Sequence, residues 1–301
     1  MLTRWKGCHL GAAIGDALGM ARESNPPTLR DLKLEYRRAY KSHPNADLHP
    51  GQYTDDTQIM LLISKMIADG NYSEEKYAAA LRNLYASGQL RFPDASVAVA
   101  CDRLVHRGVK NSGVNSNTAG CICVSVPFAL AFSDPIDVRE SVVKACSVTH
   151  IHPAAYAASV AVAFLLHNTL YRVQNAMQLA VESASLENTL LAEKIQNAIR
   201  LGEEGISLEA SLERIGNDIS VFQTVPLAFY LINRYGDPGE LLAVAGNVGG
   251  NTDTIGFICG AYAGARYGVE AFPTPLLDAL ESRSEIDALA ERLFTMSIQK
   301  D

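Results

Sequence analysis

A chain of 301 residues with 33 Asp and Glu against 26 Lys and Arg, net charge −7, has no basis for gripping a nucleic acid through its phosphates, and its densest basic group, Arg37, Arg38 and Lys41, is short. With 48% hydrophobic and 20% charged residues it holds enough apolar material for one large core or two modest ones, which excludes intrinsic disorder. No window holds roughly 18 uninterrupted apolar residues, so no membrane span is expected, and Cys8, Cys101, Cys121, Cys123, Cys146 and Cys259, without metal-finger spacing, read as reduced and mostly buried in a cytoplasmic protein.

The N-terminal MLTRWKGCHLGAAIGDALGM is interrupted by His9 and ended by Asp16, which argues against a secretory signal. It reads instead as a first helix. Gly11, Gly15 and Gly19 recur every four residues on one side, and close packing alone accounts for them. Asp16 is different, because a carboxylate inside an apolar helix must be paired or hydrogen-bonded. After the breaks at Pro26-Pro27, His43-Pro44 and His49-Pro50 comes GQYTDDTQIM, residues 51–60. Here Asp55 and Asp56 stand side by side between Thr54 and Thr57 at the start of an apolar run. Capping a first turn needs one such acceptor. Four in a row is a surplus.

Ser73 followed by EEKYAAALRNLYASG predicts a helix with acids in its first turn and Gly88 as its stop. The loop NSGVNSNTAG, residues 111–120, leads into an apolar helix near Cys121. Such loops expose backbone N–H groups and can hold a phosphate, although a plain surface loop is the competing reading. His152, before Pro153, reads as structural. The segments Ala154 to Leu166 and Ile255 to Ala265 are apolar nearly all round and predict central helices; the second, rich in Gly and Ala, lets backbones approach closely. Val173, Met177, Ala180, Val181 and Ala184 fall on one helical face, and further amphipathic helices follow Ser207 and Asp287. In GNVGGNTDTIGFICGAYAGA, residues 246–265, Thr252, Asp253 and Thr254 repeat the hydroxyl–carboxylate theme at another helix start. Strand-like alternation is almost absent, and no repeat or linker divides the chain. The expectation is one all-α domain over residues 1–301 with a dozen or more helices.

Should the two acid-bearing helix starts face each other, three carboxylates and several hydroxyls would meet in one partly buried spot. Left unpaired, they would raise each other's pKa and destabilise the fold. A hard divalent cation removes that conflict: Mg²⁺, Mn²⁺ and Ca²⁺ take oxygen ligands of this kind.

In this order, GAAIGDALG with a following Glu, YTDDTQ, VTHIHP and GGNTDT resemble the ADP-ribosylglycohydrolase family, over residues 7 to about 267. The resemblance implies a single orthogonal multi-helix bundle with a dinuclear Mg²⁺ or Mn²⁺ centre at the bottom of a cleft. Carried over, it implies that Thr54, Asp55 and Asp56 hold one ion, that Asp253 bridges to a second, and that Thr254 is a ligand of that second ion. It places Glu23 near the metals and the scissile bond, and His150 in a Thr-His pair lining the cleft, a helix-start or core histidine being the competing reading of His150. Asp16, Ser116, Asn117 and Gly120 complete the expected substrate contacts. Two departures stand out. Asn251 occupies a position where the family usually has a carboxylate, so it keeps an oxygen donor but weakens the second metal. Cys123 and Val124 occupy the positions of a usual Met-Arg pair.

The reaction so implied is hydrolysis of the glycosidic bond of an ADP-ribosyl or related ribosyl group, ADP-ribosyl-arginine being one candidate. Asp253 and Glu23 are expected to do the carboxylate work, with Asp56 able to join them and Asp55 chiefly a ligand. One alternative is an N-glycosidase acting on a smaller ribosylated metabolite or nucleoside. Another, of a different class, is a non-catalytic, crystallin-like member. The expected partner is an ADP-ribosylated protein or small riboside, with no nucleic acid and no membrane.

Overall fold

Polar caps and prolines mark most of the helix starts. A computed structural model describes residues 1–30, 32–108 and 111–299, and places fifteen α-helices there. They begin with α1 (Leu2–Gly19), α2 (Asp55–Ala68), α3 (Glu74–Ala86), α4 (Ala95–Arg107) and α5 (Ser125–Ala131). Next come α6 (Pro135–Ser147), α7 (Pro153–Leu170), α8 (Ala176–Ser185), α9 (Thr189–Glu203) and α10 (Leu208–Ile215). The last are α11 (Val221–Arg234), α12 (Pro238–Ala245), α13 (Thr252–Tyr267), α14 (Thr274–Ala279) and α15 (Arg283–Gln299). Ser73, Asp94, Asp134, Asn188, Ser207, Ser220 and Asp237 each accept a hydrogen bond from the first turn that follows. His152 does the same for α7 through Nδ1, ahead of Pro153 at the first helical position. No strand occurs among the described residues, only isolated bridges pairing Val114 with His150 and Thr118 with Ser220.

Three expectations shift. Val173 lies in the turn before α8, because Asn175 takes a left-handed φ of 58° and delays the helix to Ala176. The apolar helix near Cys121 opens as a 3-10 turn, Ile122–Val124, before α5 begins. The last helix starts at Arg283, earlier than Asp287. By length and composition alone, α7 is apolar enough to cross a membrane, but most of it is buried inside the protein.

The feature that positions the site is the antiparallel pair α1 and α13. Of the 18 residues of α1, 15 are buried, so it runs through the middle of the bundle and its polar groups must be satisfied there. Trp5 does this through Nε1, which donates to the Leu130 carbonyl at 2.9 Å. Along the contact Gly7 faces Gly264, Gly11 faces Gly260, Gly15 faces Gly256, and Gly19 faces Thr252. A Cβ on Gly15 would lie 1.8 Å from the Gly256 carbonyl oxygen, so the two backbones touch directly. Thr252 Oγ1 donates to the Gly19 carbonyl at 2.9 Å and closes the seam. The C-terminal end of α1 is thereby fixed against the first turn of α13, with a single hydrophobic cluster around both.

Candidate active site

The acid-bearing starts of α2 and α13 meet at that seam. A narrow cleft, with a cavity volume of about 10 Å³, is lined by Glu23, Asp55, Asp56, Asn251, Asp253 and Thr254, together with Phe92, Asp94, Gly120 and Ile219. Among the described residues no Lys or Arg lines it.

The surplus carboxylates of α2 are not its caps. Thr54 occupies the N-cap position without capping through its own side chain. Asp16, reaching across from α1, does that work. Its carboxylate accepts from Thr54 N at 3.0 Å, Thr54 Oγ1 at 2.8 Å, Thr57 N at 3.1 Å and Thr57 Oγ1 at 2.6 Å. Asp55 and Asp56 are left free of capping duty and turn toward the cleft. The same bonds answer the question of the buried Asp16: it is 0% exposed and lies beneath the cleft. Its expected place among the substrate contacts is corrected to a positioning one.

At the start of α13, Asp253 Oδ1 accepts from Thr254 N at 2.8 Å, and Thr254 Oγ1 donates to Asp56 Oδ2 at 2.8 Å. Thr54 Oγ1 lies 3.5 Å from Asp253 Oδ2. Its one proton is already given to Asp16, so this is proximity more than a bond. The loop before α13 bends through Gly249 and Gly250, both at positive φ, and a Cβ on Gly250 would strike the Asn217 carbonyl oxygen at 2.0 Å. That bend lets Gly250 O accept from Ser24 N at 2.7 Å, which draws Glu23 over the cleft. Glu23 is further held by Asn45 Nδ2 on its Oε2 at 3.2 Å and by His43 Nε2 on its carbonyl at 2.7 Å. Asn251 Nδ2 donates to Thr224 Oγ1 at 3.1 Å, which leaves the amide oxygen as its donor to the cleft.

Electrostatically the cleft is a concentration of acid. Burial pushes the carboxyls of Asp55, Asp56, Glu23 and Asp253 upward. The charge of Asp56 acts next on Asp55, and that of Asp253 next on Asp56 and Glu23. Asp16 is pushed up to about 6 by burial first and Asp253 second, against the pull of the Thr54 and Thr57 donors. The contact between Glu23 and Asp253 raises the first further and draws the second down, against the upward push of burial on both. The starts of α2 and α13 supply partial positive charge. Arg91, next to the start of α2, is engaged elsewhere: its guanidinium pairs with Glu281 and Tyr53 O, while its carbonyl accepts from Asp55 N at 3.0 Å.

The donor set is entirely oxygen, from carboxylates, hydroxyls and one amide, and suits a hard divalent cation such as Mg²⁺ or Mn²⁺. As placed, these oxygens are tied to one another. Among the described residues no three Asp, Glu, His or Cys side chains form a finished cage.

The 111–120 loop differs from expectation. Only Gly120 lines the cleft, its N–H donating to Asp94 Oδ2 at 2.8 Å. Ser116 sits in a hydroxyl relay: Ser96 Oγ donates to it at 2.8 Å, and Thr118 Oγ1 donates to Ser96 at 2.8 Å. Asn117 uses its carbonyl to accept from Val221 N at 2.8 Å. His150 is fully buried one layer behind, with Nε2 2.9 Å from Thr118 Oγ1 and 3.8 Å from Asp94 Oδ2. It braces the loop and does not line the cleft. Sequence reasoning missed Asp94, Phe92 and Ile219. In FPDAS, Asp94 carries an N-cap signature, and its Oδ1 does accept from Ser96 N and Val97 N. That duty hides the second, in which Oδ2 accepts the Gly120 N–H at the wall of the cleft.

The sequence profile of the family described as ADP-ribosylglycohydrolase matches residues 1–301. The chain is 32% identical to an uncharacterized protein of Archaeoglobus fulgidus, over 99% of this chain and 98% of that one. It is 26% identical to the ADP-ribosylhydrolase ARH3 of Danio rerio, over 98% of this chain and 91% of the relative. Among solved structures it is similar to an ADP-ribosylglycohydrolase-related protein complex, with a TM-score of 0.78 at 26% identity and 98% coverage of each chain. An all-α chain matched from end to end, with the TDDT and TDT helix starts facing each other across one cleft, belongs to the ADP-ribosylglycohydrolase family.

Proposed function

We propose that the cleft hydrolyses the glycosidic bond between the ribose of an ADP-ribosyl group and its acceptor, with Mg²⁺ or Mn²⁺ as cofactor. The observation that carries this reading is the convergence of Asp55, Asp56, Asp253 and Glu23 in one cleft. Asp55, Asp56, Asp253, Thr54, Thr254 and the Asn251 amide oxygen are the groups that would hold the cation. When bound, it would neutralise the acids, fix the ribose hydroxyls and polarise a water. Asp253 and Glu23 face each other in the cleft as the two carboxyl groups placed to take the proton of the attacking water and to supply the proton that the departing acceptor needs as the bond from the anomeric carbon breaks. Asp56 is aimed by the Thr254 hydroxyl, and Asp16 holds the start of α2 in place.

A second reading, a smaller ribosylated metabolite or nucleoside-type substrate, is favoured by two features. Among the described residues no Arg or Lys lines the cleft, and the Ser116 hydroxyl is engaged within its own relay. A diphosphate would rely on backbone N–H groups there.

Release of ADP-ribose from ADP-ribosyl-arginine and ADP-ribosyl-serine peptides, set against hydrolysis of free ribosides in Mn²⁺ buffer, separates the two. Asp253→Asn is expected to lower turnover by about 10²-fold or more on the preferred substrate. Full activity in that variant, or in excess chelator, would overturn the proposal.

A further inference from the structure

The end of the α1–α13 pair remote from the cleft gathers bases where the cleft gathers acids. A cavity of about 770 Å³ opens between the starts of α1, α8 and α12 and the ends of α7, α11 and α13. With a rise of about 1.5 Å per residue along α13, Arg266 stands about 20 Å from Asp253. Arg4, Arg172 and Arg266 line this cavity, and among the described residues no Asp or Glu does. Arg4 is 7% exposed. Its Nε donates to the Ala265 carbonyl at 2.7 Å and its Nη2 to the Thr169 carbonyl, which fixes the guanidinium at the mouth of two helix ends. Burial first, then the charges of Arg172 and Arg266, hold Arg4 below its ordinary pKa. Among the described residues none of the three makes an ion pair with a carboxylate.

Helix capping is the plain alternative, and its magnitude is insufficient. Each helix C-terminus offers about half a negative charge, and each N-terminus about half a positive one. Three C-termini and three N-termini at this cavity therefore cancel, which leaves about no net helix charge against three guanidiniums. Most of the positive charge stays uncompensated. Tyr235, Tyr262 and Tyr267 line the same cavity, and Tyr267 is fixed by its hydroxyl, which donates to the Gly236 carbonyl at 2.9 Å. Guanidiniums recognise phosphate oxygens in a planar fork, and tyrosine faces accept planar rings.

We propose that this cavity is a second ligand site, for a phosphorylated, ring-bearing small molecule of the nucleotide class, with its phosphates on Arg4, Arg172 and Arg266 and its ring against the tyrosines. The site stands independently of the reaction assigned to the cleft.

The test is calorimetric titration of the full chain with ADP, adenosine and pyrophosphate. Three proteins are compared: the wild type, Asp253→Asn, and the double variant Arg172→Ala/Arg266→Ala. Both arginines are exposed, so their removal spares the core. ADP is expected to bind the wild type and Asp253→Asn alike and to lose about a hundredfold in affinity in the double variant. Adenosine and pyrophosphate should each bind more weakly than ADP, and added salt should weaken ADP. Ribosyl hydrolysis should be the same in the double variant as in the wild type. Three results would overturn the site: ADP affinity unchanged in the double variant, ADP binding lost in Asp253→Asn but kept in the double variant, or no ADP binding to the wild type at about 1 mM.

Discussion

Replacing Gly15 by Ala asks one methyl group to enter a place where two helix backbones touch. The new Cβ would sit 1.8 Å from the Gly256 carbonyl oxygen and 2.3 Å from its carbon, where ordinary contact begins near 3.4 Å. The obstacle is backbone on both sides, so α1 and α13 must part by about 1.6 Å, the shortfall between those two distances. Overpacking of this kind costs about 1–3 kcal/mol and sometimes more. The gain in helix propensity returns about 1 kcal/mol. With no flexible side chain to yield, the upper end applies, and the net loss is about 2 kcal/mol or more. The displacement also moves Asp253 relative to Thr54 and Asp16, and a 1 Å misplacement at a reacting centre can cost about 10²-fold in rate. Urea denaturation and ribosyl hydrolysis measured together give both readings. Gly7→Ala, at the remote end with its Cβ 2.5 Å from the Gly268 carbon, should lose stability with a smaller loss of rate in the folded protein. Gly236→Ala, with nothing within 4 Å, should change neither. A Gly15→Ala protein as stable and as active as wild type would refute the reasoning that a backbone seam positions the site.

Other consequences are equally specific. Asp16→Ala strips the acceptor from Thr54 and Thr57, leaving buried donors unpaired at the start of α2, and should cost about 3 kcal/mol in denaturant together with most of the activity. His9, fully buried between Ser64 and the Ile286 carbonyl, has its pKa lowered by burial to about 4 from 6.5. Between those two values the unfolded chain takes up a proton that the folded one refuses, so His9 makes stability fall as pH drops from 6.5 to 4, by about 3 kcal/mol in all. Subtracting the stability–pH curve of His9→Gln from that of wild type should reveal that slope; parallel curves would contradict it. Asn251→Asp adds one more acid to the cleft, and should lower the melting temperature in chelator while raising it above wild type in Mn²⁺.

The helical architecture could be read from caps, prolines and period, because those signals act within one or two turns. The meeting of Asp55 and Asp56 with Asp253 could be anticipated because the two helix starts share one chemistry. What brings them together could be read only in halves: Gly11, Gly15 and Gly19 announce close packing, but only the fold says that Gly260, Gly256 and Thr252 are what they pack against. Asp94 escaped notice because an N-cap explains an Asp before a helix completely, and nothing local shows which way its second oxygen points. His150 misled for the converse reason. A His beside Thr in a cleft motif reads as a lining residue, yet its ring is consumed by Thr149, Thr118 and Asp94 behind the loop. Val173 fell outside its helix because a left-handed Asn175 is a backbone choice that hydrophobic period cannot register.

The account turns on the acids of α2 and α13 acting as one cation site. Calorimetric titration of Mn²⁺ into wild type and Asp253→Asn is the direct measurement. The wild type should bind Mn²⁺ with heat, and the variant, folded by circular dichroism, should bind it about 10–100-fold more weakly. Equal affinity in the two proteins, or no binding to the wild type, would contradict the account.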